Sequence, residues 1–225
     1  MAAKQDAEAW AEIVREHAQK RGLVYEPVGG LNPKDAPPAL CVGGTNRITG
    51  QLEDDFWGAS CDADEEESGG FFSRAVLPRA VLAKAHMPDL ARVVPAFNVE
   101  SLERNPEEMV KKRVARKVEF ESIDFNRRFL ATVPSEYDPV ALRELFSPGF
   151  LDWVTRIDNE VDFGAGDRQL WFLWRLRERS EEELGEALRN AGQLFRRLRS
   201  EMEEHGIETY PAGPWHAGLE PFPAT

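Results

Sequence analysis

Two adjacent arginines, Arg127 and Arg128, stand between Phe125 and Phe129. In a strand they would face opposite ways, leaving Arg127 on the face of the two phenylalanines. A guanidinium so placed either pairs with a buried carboxylate, such as Glu119 or Glu121, or recognises an anionic group through its planar fork of donors. Asp62, Asp64 and Glu66 alternate like the opening of a calcium loop. The sixth position is Glu67, where that loop needs glycine, and the twelfth is Ser73, where it needs glutamate. The acidic run therefore reads as a solvated hairpin tip and a candidate contact for a partner. Gly43-Gly44-Thr45 precedes a strand pattern, not the helix N-terminus that would cradle a phosphate. His17, His86, His205 and His216 are too dispersed for a metal cluster. Ser60 lacks the second glycine of a nucleophile elbow, and Cys61 needs a base that only tertiary structure can bring.

These residues lie in a chain of 225 residues with 28 basic and 40 acidic side chains, a net charge of −12. Such a charge repels phosphate backbones, so nucleic acid is a poor partner and a basic protein a better one. No apolar run approaches the ~20 residues of a membrane span, and no secretory signal opens the chain, which points to the cytosol. Cys41 and Cys61 are then expected as reduced thiols. Length allows a core that buries roughly 70% of the unfolded surface.

Ala7, Trp10, Ile13, Val14 and His17 form the stripe of a helix over residues 4–21. Gly22 follows as its left-handed stop, with Leu23 in place for the accompanying apolar contact. Leu23–Tyr25 reads as a short strand. Period-two alternation then runs through Ile48, Gly50 and Leu52, through Trp57, Ala59 and Cys61, and again over Phe71–Leu77, an antiparallel meander with a turn at Asp54-Asp55. Residues 79–117 are less legible, with a strand at Leu90–Val94 and a helix start at Asn105-Pro106. Val118–Glu121 and Phe125–Val133 are the next strands. Asp138-Pro139 and Ser147-Pro148 each combine a cap with a proline at N1, and so announce a helix pair. Val161–Phe163 and Gln169–Leu176 make a hairpin whose second strand is apolar on both faces, the mark of a central strand. Ser180 and Glu183 form a capping box for the longest helix, ending near Glu204.

The segments Val118–Ser122, Phe125-Asn126-Arg127-Arg128-Phe129 and Leu145–Trp153, with the strand Gln169–Trp174 and the opening helix followed by Arg21–Pro27, carry a family likeness. On these residues the chain resembles a bacterial family known as domain of unknown function 3137, in particular its soluble actinobacterial-type relatives. Other members often carry membrane helices near the N-terminus. The resemblance brings no activity, cofactor or site.

The fold expected is α+β: an antiparallel sheet of about seven or eight strands, with the N-terminal helix, the helix pair and the long C-terminal helix packed on it. Residues 1–206 form one domain. Residues 207–225 form a proline-rich tail whose Tyr210 and Trp215 are expected to dock against the domain, leaving the last residues mobile, or else to be candidate contacts for a partner. No cofactor and no metal are expected. The reading leans away from an enzyme, towards a non-enzymatic cytosolic module that binds another protein. The alternative is a hydrolase or transferase whose site assembles from dispersed Asp, Glu, Arg and Cys61.

Overall fold

The computed structural model describes residues 2–28, 45–52, 55–62, 80–86, 96–102, 115–166 and 169–204. One antiparallel sheet of nine strands runs through them: β1 (Val24–Val28), β2 (Thr45–Leu52), β3 (Asp55–Asp62), β4 (Ala80–His86), β5 (Phe97–Ser101), β6 (Ala115–Val118), β7 (Phe129–Pro134), β8 (Val161–Gly166) and β9 (Gln169–Arg175). Their order is β1-β2-β3-β4-β9-β8-β5-β7-β6. Five helices accompany them among the described residues: α1 (Ala2–Lys20), α2 (Ile123–Arg128), α3 (Pro139–Leu145), α4 (Pro148–Thr155) and α5 (Glu181–Glu204). The α+β class holds, and the sheet is one or two strands wider than expected.

Strand β9 is fifth of the nine in the sheet order, as its apolar character on both faces requires. Leu170, Phe172 and Trp174 join the main core with Val81, Ala83 and Ala85 of β4. Leu173 and Trp171 meet Ala80 and Leu82 on the opposite face. The main core also takes in the apolar stripes of the helices, Trp10 and Val14 of α1 and Leu184, Ala191, Phe195 and Leu198 of α5 among them. Trp10 is fully buried, and its indole Nε1 donates to the Cys61 carbonyl at 3.1 Å, pinning α1 to β3.

Helix caps follow the sequence closely. Asp138 accepts from the Val140 amide and Ser147 from the Phe150 amide, each with proline in the first turn. Gly22 has φ +68°, and Leu23 and Gly22 return amide hydrogen bonds to the carbonyls of Ala18 and Gln19, a Schellman stop. The Ser180 hydroxyl accepts from the Glu183 amide at 3.2 Å. The Glu183 carboxylate turns elsewhere, its Oε1 accepting from Trp174 Nε1, Asn159 Nδ2 and the Arg177 amide. One oxygen thus ties β9 and the α4–β8 turn to the start of α5.

The segment expected as strand Phe125–Val133 divides instead. Its first part is the helical turn α2, and β7 begins only at Phe129. Ser122 caps α2 by accepting from the Phe125 amide. The Asn126 side chain both donates to and accepts from the Phe120 backbone, closing the loop. Phe125 and Phe129, read as alternating strand partners, satisfy an i,i+4 helical spacing equally well, and their rings meet at 5.2 Å. The strand before them is also displaced, Ala115–Val118 in place of Val118–Glu121. Strands β4 and β5 fall in the stretch that periodicity left obscure. Asp55, expected in a turn with Asp54, is instead the first residue of β3 and pairs with Leu52. The strands expected at Phe71–Leu77 and Leu90–Val94, and the helix start at Asn105-Pro106, lie outside the described residues.

Phe172 is fully buried in the central strand. Phe172→Ala should lower the unfolding free energy by about 3–5 kcal/mol, read from a urea titration. A loss below about 1 kcal/mol would contradict the central packing of β9.

Candidate functional site

The cluster that stands out is a cleft of about 310 Å³ between the end of α1, the inner face of α5 and the side chains of Leu23 and Trp57. Its construction begins at Gly22, whose left-handed φ turns the chain so that Leu23 follows α1 inward. Gly50 on β2 makes the close approach possible. A Cβ there would stand 2.6 Å from Leu23 Cδ2 and 3.0 Å from Trp57 Nε1. Leu188 and Phe195 of α5 complete the apolar lining.

Around this lining stand Arg21 from α1's end and Arg189 and Arg196 from α5. All three are exposed, and none of their side chains has a hydrogen-bond or ion-pair partner among the described residues. Arg189 Nη1 lies 3.4 Å, and Arg21 Nη2 3.9 Å, from the point where a Gly185 Cβ would stand. The His17 Cε1 is 3.6 Å from the same point. Two guanidinium groups and an imidazole thus converge over a bare glycine. Gly192 repeats the arrangement one heptad on, its missing Cβ 3.7 Å from Arg196 Nη1.

His17 is 1% exposed, and both ring nitrogens lack a hydrogen-bond partner. Burial first, and then the charge of Arg21, hold its pKa below the ordinary value of about 6.5, against an opposing pull from Glu181. Glu181 itself pairs with Lys20 at 3.0 Å, which keeps its carboxyl below the usual range and links the end of α1 to the start of α5. At neutral pH the cleft holds a neutral imidazole beside three cations, within a chain of net charge −12. Such an arrangement suits an anion with an apolar body.

The residues singled out from sequence lie elsewhere. Arg127 is on α2, with its side chain 78% exposed and an Asp124 oxygen 4.0 Å away, so it neither pairs with a buried carboxylate nor lines the cleft. Glu119, one of its two expected partners, pairs with Lys117 at 2.9 Å, and that contact lowers the Glu119 pKa. Arg128 has the structural role, donating to the carbonyls of Thr155, Ile157 and Asn159 at 2.6, 2.5 and 2.5 Å. It caps the end of α4, which sequence alone had no means to pair with it. Asp62 ends β3, while its side chain, Asp64, Glu66, Tyr210 and Trp215 lie outside the described residues. Cys61 is a fully buried thiol on β3 beneath α1, out of reach of a substrate. The buried carboxylate Asp162 accepts from the Ser101 amide and pairs with Arg175 at 3.0 Å, a cross-strand tie. No group of metal-ligating side chains is found among the described residues, and no helix there is long and apolar enough to cross a membrane.

The cleft residues did have a sequence signal. Gly185 and Gly192 interrupt a helix interior, each costing about 1 kcal/mol against alanine. Each is followed four residues later by an arginine, Arg189 and Arg196. That repeat places two gaps and two cations on one helical face.

Two variants separate the arginine roles. Arg128→Met should cost about 2–4 kcal/mol of stability, since three buried-end carbonyls lose a charged donor, whereas Arg127→Met should change it by less than about 0.5 kcal/mol. Chemical denaturation of both variants reads the contrast. The histidine gives a pH test. Because folding depresses its pKa, the unfolded chain takes up a proton that the native state resists, so stability is full above pH of about 6.5 and falls as pH drops through it. Melting temperatures from about pH 7.5 to about pH 5.5 should decline less in His17→Leu than in the parent.

Comparison with protein families and with curated proteins finds no match to this chain. Among solved structures, the crystal structure of the mycobacterial trehalose monomycolate transport factor A, TtfA, is similar in fold. Its TM-score is 0.56 at 12% identity, covering 91% of this chain and 98% of that one. At that identity the likeness is one of architecture, and it extends over nearly the whole of both chains.

Proposed function

We propose that this chain is a non-enzymatic accessory protein, which holds an anionic ligand in the α1–α5 cleft in the service of a protein partner. The observation that carries the reading is the set of three arginines, unpaired among the described residues, about an apolar hollow, a composition suited to retention. The other conspicuous polar groups, Arg128, Asp162, Arg175 and Glu183, already hold structural contacts. The fold likeness to a protein named as a transport factor supports an accessory role. The acidic surface favours a partner that is basic where the two meet. With two cysteines in 225 residues, the reading places the protein in the reducing cytosol.

Affinity purification from the producing cells, followed by native mass spectrometry, tests this. The expected outcome is one protein recovered in stoichiometric amount, with the chain carrying an anionic adduct that Arg21→Gln/Arg189→Gln loses. A chain that emerges bare and alone overturns the reading.

A further inference from the structure

We infer that the ligand of the α1–α5 cleft is a small amphipathic carboxylate, its head held between Arg21 and Arg189 over Gly185 and its apolar body lying against Leu23, Trp57 and Phe195. This rests on the binding role proposed above and names the chemical class that the site takes.

The head position follows from the guanidinium groups. One nitrogen of each lies within 3.9 Å of the vacant Gly185 Cβ position, so the two like charges approach from the end of α1 and from α5, and no described carboxylate is paired with either. Their mutual repulsion is relieved by an anion placed between them. A carboxylate offers two oxygens, one to each fork, in the planar geometry that arginine matches. His17, buried and unpaired beside them, stands ready to supply a further donor. Among the described residues, Glu181 is the carboxylate whose charge is felt at His17 and at Arg21, and it is held by Lys20.

The body follows from the lining and the size. Trp57, Leu23, Leu188 and Phe195 present apolar surface beyond the arginines. A cleft of about 310 Å³ lies at the small end of ligand sites, a size suited to a medium-chain acid such as an eight-carbon alkanoate. Longer chains must project into water, because the cleft is open to solvent on one side.

Isothermal titration of the full chain with acetate, butanoate, hexanoate, octanoate and dodecanoate tests the assignment. Affinity should rise about three- to fourfold per methylene as far as octanoate and flatten beyond it. Arg21→Gln and Arg189→Gln, both at exposed positions, should each weaken octanoate at least about tenfold without altering the melting temperature. Octanol or octylammonium binding as tightly as octanoate overturns the anionic head. Octyl phosphate binding more than about tenfold tighter than octanoate transfers the site to phosphate esters and overturns the carboxylate. If the native chain carries an anionic adduct but alkanoates show no length dependence, the class falls and the binding role stands. If the chain is bare and no alkanoate binds, both fall.

Discussion

The ladder between β4 and β9 is the contact on which the rest depends. It pairs the two strands from Ala80↔Arg175 to His86↔Gln169 and joins the N-terminal meander to the C-terminal half of the sheet. Helix α1 packs on β1 and β2, whereas α5 follows β9 and packs on β4 and β9. Only when the two halves share this ladder do the helices lie side by side. The cleft is the seam between them, so the candidate ligand site is a by-product of sheet closure along the chain's longest connections. Non-local pairing of this kind must repay its loop-closure entropy before it contributes to stability. The repayment here is the doubly covered centre of the sheet, where Phe172 and Trp174 face one side and Leu173 the other.

At the far side of the sheet a different device holds the structure. Phe97, Phe120, Phe146, Phe150 and Phe163 meet in edge, stacked and tilted pairs with centroids 4.7–6.4 Å apart. Phe125 and Phe129 extend the cluster along α2 into β7. These rings give the short helices α2, α3 and α4 an apolar anchorage that helices of six to eight residues lack in isolation. Arg128 then ties the end of α4 back to α2, satisfying carbonyls that the helix leaves open. The phenylalanine end is thus closed by mutual packing, while the α1–α5 end retains cations with no partner among the described residues. That asymmetry directs attention to the cleft as the working surface.

Local signals carried far in this chain. The caps at Asp138, Ser147 and Ser180, the stop at Gly22, the β8–β9 hairpin and the central place of β9 were all legible, because each depends on neighbours within a few residues or on a two-residue period. The arginine pair misled for a related reason. Phe125-x-x-x-Phe129 obeys a strand alternation and a helical spacing at once, and the deciding contacts, Asn126 to Phe120 and Ser122 to the Phe125 amide, belong to the loop closure. The alanine-rich β4 was obscure because its strand state comes from β3 and β9 on either side of it, with little preference of its own.

The amino-acid sequence by itself determined the α+β class, most helix ends, the apolar stripes that build the core and the net negative charge, since these arise from short-range periodicity and composition. Tertiary structure alone decided which charges stay unpaired. Arg127 and Arg128 are neighbours in sequence, yet one is spent on nothing more than a distant Asp124 and the other on three carbonyls. Arg21 and Arg189 are far apart in the chain, yet they meet over Gly185. The pairing of a charge is a matter of distances of a few ångströms between remote segments, and those distances are set by how the sheet closes and the helices pack upon it.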